Sequence, residues 1–303
     1  MAEKGKLRIN LEYWWARAVL GLFRRLSLER GMALARAIGR FGFWFPKLRR
    51  TGERNLKLAF PDLPDHERRR LLRGSFENLG RLLAVFSHFG DDREAVKAMI
   101  AVEGLEGLDR ATAQGKGVIL FTGHVGGWEL SSFGLSLFEH PLSFLVRRID
   151  NPKIEAMIDR LRSGAGNRTI DKRSAAREML GILRDGGSLG ILVDLNTLDR
   201  EAMFVDFFGI PAATTFIVAK LALRTGARVL PVFAPWDEVG KCFRLEIGAP
   251  LSIEQTGNED EDVRRLTQEY TRVVEDYVRR YPEQWLWIHR RWKTRPDGEA
   301  TVY

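Results

Sequence analysis

Short apolar runs alternate with helix-spaced segments through the middle of this 303-residue chain, and that alternation restricts its fold more than any other feature. Gly117–Phe121, Leu142–Val146, Leu189–Val193, Arg228–Phe233 and Phe243–Ile247 read as strands. Trp128–Phe138, Lys153–Arg162, Ala175–Arg184, Thr214–Arg224 and Asp260–Arg280 read as helices, because their apolar residues recur at three and four positions. Strands interleaved with helices imply an α/β domain, a mixed sheet covered by helices. No linker rich in Pro, Gly or Ser divides it. The expected organisation is N-terminal helices over residues 1–50 docked on an α/β domain over residues 51–303, which opens with a long helix from about Asp65 to Phe86.

Charge sets the N-terminus apart. Residues 1–57 carry fourteen Lys and Arg against four Asp and Glu, and much of the net charge of +8 arises there. Arg279–Arg295 is a second basic stretch. Tryptophans accompany both: Trp14, Trp15 and Trp44, then Trp285, Trp287 and Trp292. Trp beside Arg is the composition of a membrane–water interface. The apolar stripe Leu11, Trp14, Trp15, Ala18, Val19, Leu22, Phe23, Leu26 is interrupted by Arg17, Arg24 and Arg25. It therefore reads as an amphipathic helix lying on an anionic membrane surface, not one spanning it or a signal peptide. The plainer alternative is a pair of helices packed on the body of the protein. A nucleic-acid binder is disfavoured, because the basic ends carry no recognisable reading motif.

The chemistry points to Gly117-Val-Ile-Leu-Phe-Thr-Gly-His124-Val-Gly-Gly-Trp-Glu129. A buried strand delivers His124 to its carboxyl end, where ligands sit in open α/β sheets. Gly126 and Gly127 let the chain turn before the next helix, so Glu129 is expected to reach back to one ring nitrogen and leave the other as a general base. Backbone N–H groups near the glycines are the expected oxyanion donors. A non-catalytic helix-capping histidine is the alternative. Gly186-Gly-Ser188-Leu-Gly190 has the letters of a serine-hydrolase elbow, but with the helix before it and the strand after. The single cysteine, Cys242, lies in a strand, so a covalent thioester intermediate is not expected. No histidine spacing suits a metal, and no cofactor is expected. Arg147 and Asp194 follow strand ends on the side of His124 and read as substrate-binding groups.

These residues together resemble a known family. His124-x4-Glu129 is similar to the H-x4-D/E signature of the glycerolipid acyltransferase superfamily. Arg54-Asn-Leu-Lys-Leu-Ala-Phe-Pro61-Asp, Val146-Arg147-x3-Asn151-Pro152, Phe204-Val-Asp-Phe-Phe-Gly209-x-Pro-Ala-Ala-Thr214-Thr215 and Pro282-Glu-Gln-Trp-Leu-Trp-Ile-His289-Arg-Arg-Trp-Lys resemble, in order, its lipid A late-acyltransferase branch. The resemblance implies a lauroyl- or myristoyltransferase-type O-acyltransferase at the cytoplasmic face of the inner membrane. It would move a fatty acyl chain from acyl carrier protein to a hydroxyl of a lipid A precursor. His124 would be the base, Glu129 its orienting carboxylate, and Gly126, Gly127, Arg147 and Asp194 substrate-binding, with Phe207 and Phe208 along an acyl groove. An acceptor such as a lysophospholipid or aminolipid, or a non-catalytic membrane-binding module, are the rival readings.

Overall fold

The computed structural model describes residues 5–146, 148–171, 175–197, 202–252 and 255–303. Its N-terminal part is helical: α1 (Lys6–Arg24), α2 (Leu28–Phe41), α3 (Pro46–Ala59) and α4 (Asp65–Ser87). Ser27 caps α2 through its hydroxyl, and Pro46 opens α3 at the position where a missing N–H costs nothing. Helices α2 and α4 meet backbone to backbone. A Cβ on Gly80 would stand 2.0 Å from the Ala35 carbonyl oxygen, and one on Gly39 would stand 2.3 Å from that of Phe76. Only glycine permits that approach. In α1, by contrast, only Leu20 and Phe23 are buried, while Trp14 and Trp15 are exposed. Among the described residues no helix is long and apolar enough to cross a membrane.

A short α5 (Arg93–Ala98) leads into the sheet. Its strands are β1 (Ile100–Glu103), β2 (Val118–Thr122), β3 (Ser143–Val146), β4 (Arg168–Asp171), β5 (Ser188–Leu192), β8 (Arg228–Phe233), β9 (Trp236–Asp237) and β10 (Cys242–Ile247), ordered β1-β10-β8-β2-β5-β3-β4 with β9 beside β10. Pairing is mostly parallel, and β10 runs antiparallel to β8. Strand β2 lies centrally and is buried at every residue, as its Val-Ile-Leu-Phe run requires when both faces are covered. Between the strands run α6 (Leu105–Ala113), α7 (Trp128–Leu137), α8 (Pro152–Ser163), α9 (Ala175–Arg184) and α10 (Ile217–Thr225), and α11 (Glu259–Arg280) follows the last strand. Leu120, Leu230 and Val232 pack on the α7 side; Ile119, Phe121, Ile191 and Val229 pack on the α9–α11 side.

The expected α/β class therefore holds, with two local differences. The segment read as a helix from Thr214 first completes a hairpin, β6 (Ala202–Phe207) with β7 (Ile210–Thr215), and α10 begins at Ile217. Its two-residue turn is Phe208-Gly209, both with positive φ, the backbone a tight hairpin requires. Strands β1 and β4 are four-residue edge strands with mixed burial, too short to give an apolar run.

Candidate active site

Strand β2 ends at Thr122, and the next two residues are Gly123 and His124. The His124 ring is fixed by Asp194, just beyond β5. Nδ1 lies 2.7 Å from Asp194 Oδ1, and the His124 backbone N–H donates to Oδ2 at 2.7 Å. Trp285 donates its indole Nε1–H to the same Oδ2, also at 2.7 Å. Gly123 makes room for this approach: a Cβ there would sit 3.1 Å from Oδ2 and 3.0 Å from Val274. Asp194 is buried. Burial alone would raise its pKa, but the His124 charge and ring, the indole and the backbone N–H outweigh it and hold the carboxyl down to about 2. In the neutral ring, an Asp194 carboxylate that accepts from Nδ1–H leaves Nε2 as the unprotonated nitrogen.

The turn after His124 is as tight as its glycines suggest. Gly126 has φ +62°, and a Cβ there would stand 2.4 Å from the Ala234 carbonyl oxygen; one on Gly127 would meet the Phe243 ring at 2.9 Å. Their N–H groups are occupied, however. Gly126 N–H donates to Gln284 O at 3.1 Å and Gly127 N–H to Ala234 O at 2.8 Å. The expected oxyanion donors are thus spent on holding the turn in place.

Glu129 also departs from expectation. Helix α7 starts at Trp128, so Glu129 occupies its first turn and faces α8 instead of returning to His124. There it forms a two-point ion pair with Arg162, whose Nε donates to Oε2 at 2.9 Å and whose Nη2 donates to Oε1. Burial disfavours the Arg162 charge, but the Glu129 hydrogen bond and charge more than offset it, and the arginine pKa is raised. No hydrogen bond joins Glu129 to His124; the orienting carboxylate is Asp194, which the sequence had suggested only as a substrate contact.

Both arrangements open on one cavity of about 600 Å³. Leu120, Leu135, Leu142, Phe144 and Val232 supply apolar wall, and His124, Glu129, Arg162, Asn196 and His289 the polar groups. The sheet itself makes the space. Strand β3 pairs with β5 through only Ser143–Leu189 and Phe144–Gly190, so Leu145 and Val146 part from Ile191 and Leu192 as both strands approach their carboxyl ends. The size suits a ligand largely enclosed by protein.

Phe207 and Phe208 lie elsewhere. Phe207 is buried against Trp285 and Trp292, with ring centroids 5.6 and 5.7 Å away, and Phe208 packs on Phe60 at 5.3 Å. Neither lines the cavity; they belong to the aromatic core beneath the C-terminal segment. Arg147 lies outside the described residues. Three cavity or support residues were given no site role from sequence: Arg162, Trp285 and His289. The last two come from the segment after α11. There Asn55 Nδ2 donates to the Trp287 and His289 carbonyls, Ser75 Oγ to the Trp285 carbonyl at 2.6 Å, and Leu286 N–H to the His124 carbonyl at 3.1 Å. Buried Arg291 ties it to β7 through the Ala213 carbonyl at 2.8 Å. Burial lowers the Arg291 pKa to about 10.

The whole arrangement has relatives. The chain is 29% identical over 294 residues to a lipid A biosynthesis palmitoleoyltransferase of Escherichia coli K12, covering 96% of this chain and 94% of that one. It is 30% identical over 303 residues to the lauroyltransferase of lipid A biosynthesis from the same organism, with the same coverage, and 25% identical over 299 residues to the myristoyltransferase, covering 96% and 90%. Residues 1–294 match the family model described as bacterial lipid A biosynthesis acyltransferase. Collinear from the N-terminal helices to the segment that carries Trp285 and His289, this chain belongs to the bacterial lipid A biosynthesis acyltransferase family.

Proposed function

We propose that this acyltransferase moves a fatty acyl chain from the thioester of acyl carrier protein to a hydroxyl of a lipid A precursor, with no acyl-enzyme intermediate. The observation that carries the reading is His124, held by Asp194 through Nδ1 with its other nitrogen bonded to no group among the described residues, in an apolar-walled cavity between parted strands. Nε2 takes the acceptor hydroxyl proton as the oxygen attacks the thioester carbonyl. The tetrahedral intermediate collapses by breaking its C–S bond, and His124 returns the proton to the departing thiolate. A thiol pKa near ~8.5 makes that departure easy. The buried Asp194 carboxylate stabilises the transient imidazolium. The apolar wall suits an acyl chain, and the Glu129–Arg162 pair offers charged groups beside it.

The acceptor is a membrane lipid, and the N-terminus is suited to reach it from the cytoplasmic face. Of the fourteen large apolar side chains exposed among the described residues, eleven lie between Leu7 and Leu48. Trp14, Trp15, Phe41, Trp44 and Phe45 are each more than half exposed, amid a surplus of arginine. Such a face enters the interface while its cations meet lipid phosphates, worth roughly 1 kcal/mol each. Removing residues 1–45 is a poor test, because Leu28, Met32 and Ala35 belong to a core cluster. Triple replacement Trp14→Ser, Trp15→Ser and Trp44→Ser leaves that core intact. It should lower flotation with anionic vesicles and turnover on vesicle-embedded acceptor, but not turnover on detergent-solubilised acceptor.

The decisive assay supplies purified protein with acyl carrier protein thioester and a lipid A precursor, and reads the product mass. The expected result is one added acyl group, lost with His124→Ala. Transfer only to a lysophospholipid or aminolipid offered in parallel would reassign the acceptor. Undiminished transfer by His124→Ala would end the mechanism.

A further inference from the structure

His289 shares the cavity with His124 but has no part in the Asp194 contact. Its Nε2 accepts the Asn196 backbone N–H at 3.1 Å. An N–H can donate only to an unprotonated ring nitrogen, so the His289 proton is on Nδ1. That Nδ1 bonds to no group among the described residues, and His289 lines the cavity. The ring is braced from behind: its carbonyl accepts from Asn55 Nδ2, and Arg291 N–H donates to the same carbonyl at 3.0 Å. The ring thus lines the cavity with its Nδ1–H unspent.

Several other donors around that space are committed, although Ser131 Oγ and the Trp128 indole, which also line it, have no hydrogen bond among the described residues. The Gly126 and Gly127 N–H groups bond to carbonyls, Arg162 Nε and Nη2 to Glu129, and Asn196 Nδ2 to Thr294 Oγ1 at 3.0 Å. A tetrahedral intermediate needs a donor aimed at its oxyanion, and a preorganised one is worth most in an enclosed site.

We propose that His289 is a second catalytic histidine, whose Nδ1–H donates a hydrogen bond to the thioester carbonyl oxygen as that oxygen becomes the tetrahedral oxyanion. The proposal rests on the acyl-transfer reading above. Its charge state fits. Burial pushes the His289 pKa down, Asp194 pulls it back only in part, and His124, Arg291 and Lys293 press it further, to about 4. His289 is thus neutral when His124 takes up its proton, and two imidazolium rings never face each other. One histidine exchanges a proton, and the other lends a hydrogen bond without giving its proton up.

Two substitutions separate this role from simple support. An asparagine amide nitrogen reaches the place of Nδ1, whereas a glutamine reaches the place of Nε2 and can accept the Asn196 N–H through its oxygen. His289→Gln should therefore keep the fold and the KM for acyl carrier protein thioester yet lose ~10²–10³-fold in kcat, the usual cost of one oxyanion donor. His289→Asn should recover at least ~10-fold of that loss, although it forgoes the Asn196 contact. Near-wild-type kcat in His289→Gln, or equal losses in the two variants, would overturn the proposal. His124→Ala is assayed beside them. Turnover surviving there would defeat the underlying mechanism, whereas an inactive His124→Ala beside an unaffected His289→Gln would defeat this proposal alone.

Discussion

Trp285 and Asp194 are 91 residues apart in sequence, yet the indole Nε1 stands 2.7 Å from the carboxylate Oδ2. Water would satisfy that oxygen in an open site; here a rigid, buried ring does so. Trp285→Phe removes the donor and part of the ring volume. A hydrogen bond to a charged group is worth ~1.5–3 kcal/mol, so the variant should unfold more easily by no less than that amount. Its kcat should fall while KM for both substrates stays. Unchanged urea midpoint and turnover would mean the indole contact is incidental.

Asp194→Asn tests the orientation of His124 itself. An amide nitrogen facing Nδ1 favours the ring with its proton on Nε2, so the base is occupied before the hydroxyl arrives. The expected loss is ~10²–10⁴-fold in kcat, with the fold retained. A variant within a few-fold of the parent would show that Asp194 is only structural.

Glu129 and Arg162 have side chains 18% and 19% exposed, so they are an internal pair that keeps a little water. Removing one partner leaves the other charge poorly compensated, at a cost of about 3 kcal/mol. Glu129→Gln and Arg162→Met should each lower stability, and the double variant should regain part of it. Activity should not return in the double variant, because both side chains line the cavity. Recovery of turnover together with stability would make the pair purely architectural.

Acid should weaken the fold over two spans. The His289 pKa falls from 6.5 to about 4 on folding, so its contribution is complete above pH 6.5 and is lost as pH drops towards 4. The Asp194 pKa falls from 3.8 to about 2, so its contribution is complete above 3.8 and is lost as pH drops through 2. Urea unfolding of wild type and His289→Gln at successive pH values reads the first span by difference. The variant should lose less stability than wild type between pH 6.5 and 4; parallel curves would contradict the assignment.

How much of this the sequence discloses depends on how far apart the partners lie. The run from Val118 to Trp128 contains its own instructions: an apolar strand, two glycines, then a helix, with His124 between. Glu129 is in the right cavity but on the wrong partner, because its direction depends on where α7 begins and what α8 presents. Asp194 is legible as a polar residue at a strand end, whereas its contact with His124 needs the parallel pairing of β2 with β5. Trp285 and His289 follow no helical or strand period. Their segment is held by Asn55 and Ser75 from helices more than 200 residues earlier, and no local pattern announces such a contact. The family resemblance sets Phe207 and Phe208 along an acyl groove; the hairpin instead packs Phe207 on Trp285 and Trp292 and Phe208 on Phe60.

The backbone contact between α2 and α4 reaches further than packing. On one flank α4 touches Ala35 through Gly80; on another it sends Ser75 to the Trp285 carbonyl and Asn78 to the Gly126 carbonyl at 3.0 Å. The same helix thus grips the exposed aromatic end and the turn behind His124. Arg36 and Arg40 of α2 add ion pairs to Glu77 of α4, so the two helices are locked at both backbone and side chain. The placement of His124 relative to those rings is therefore tied to a single helix.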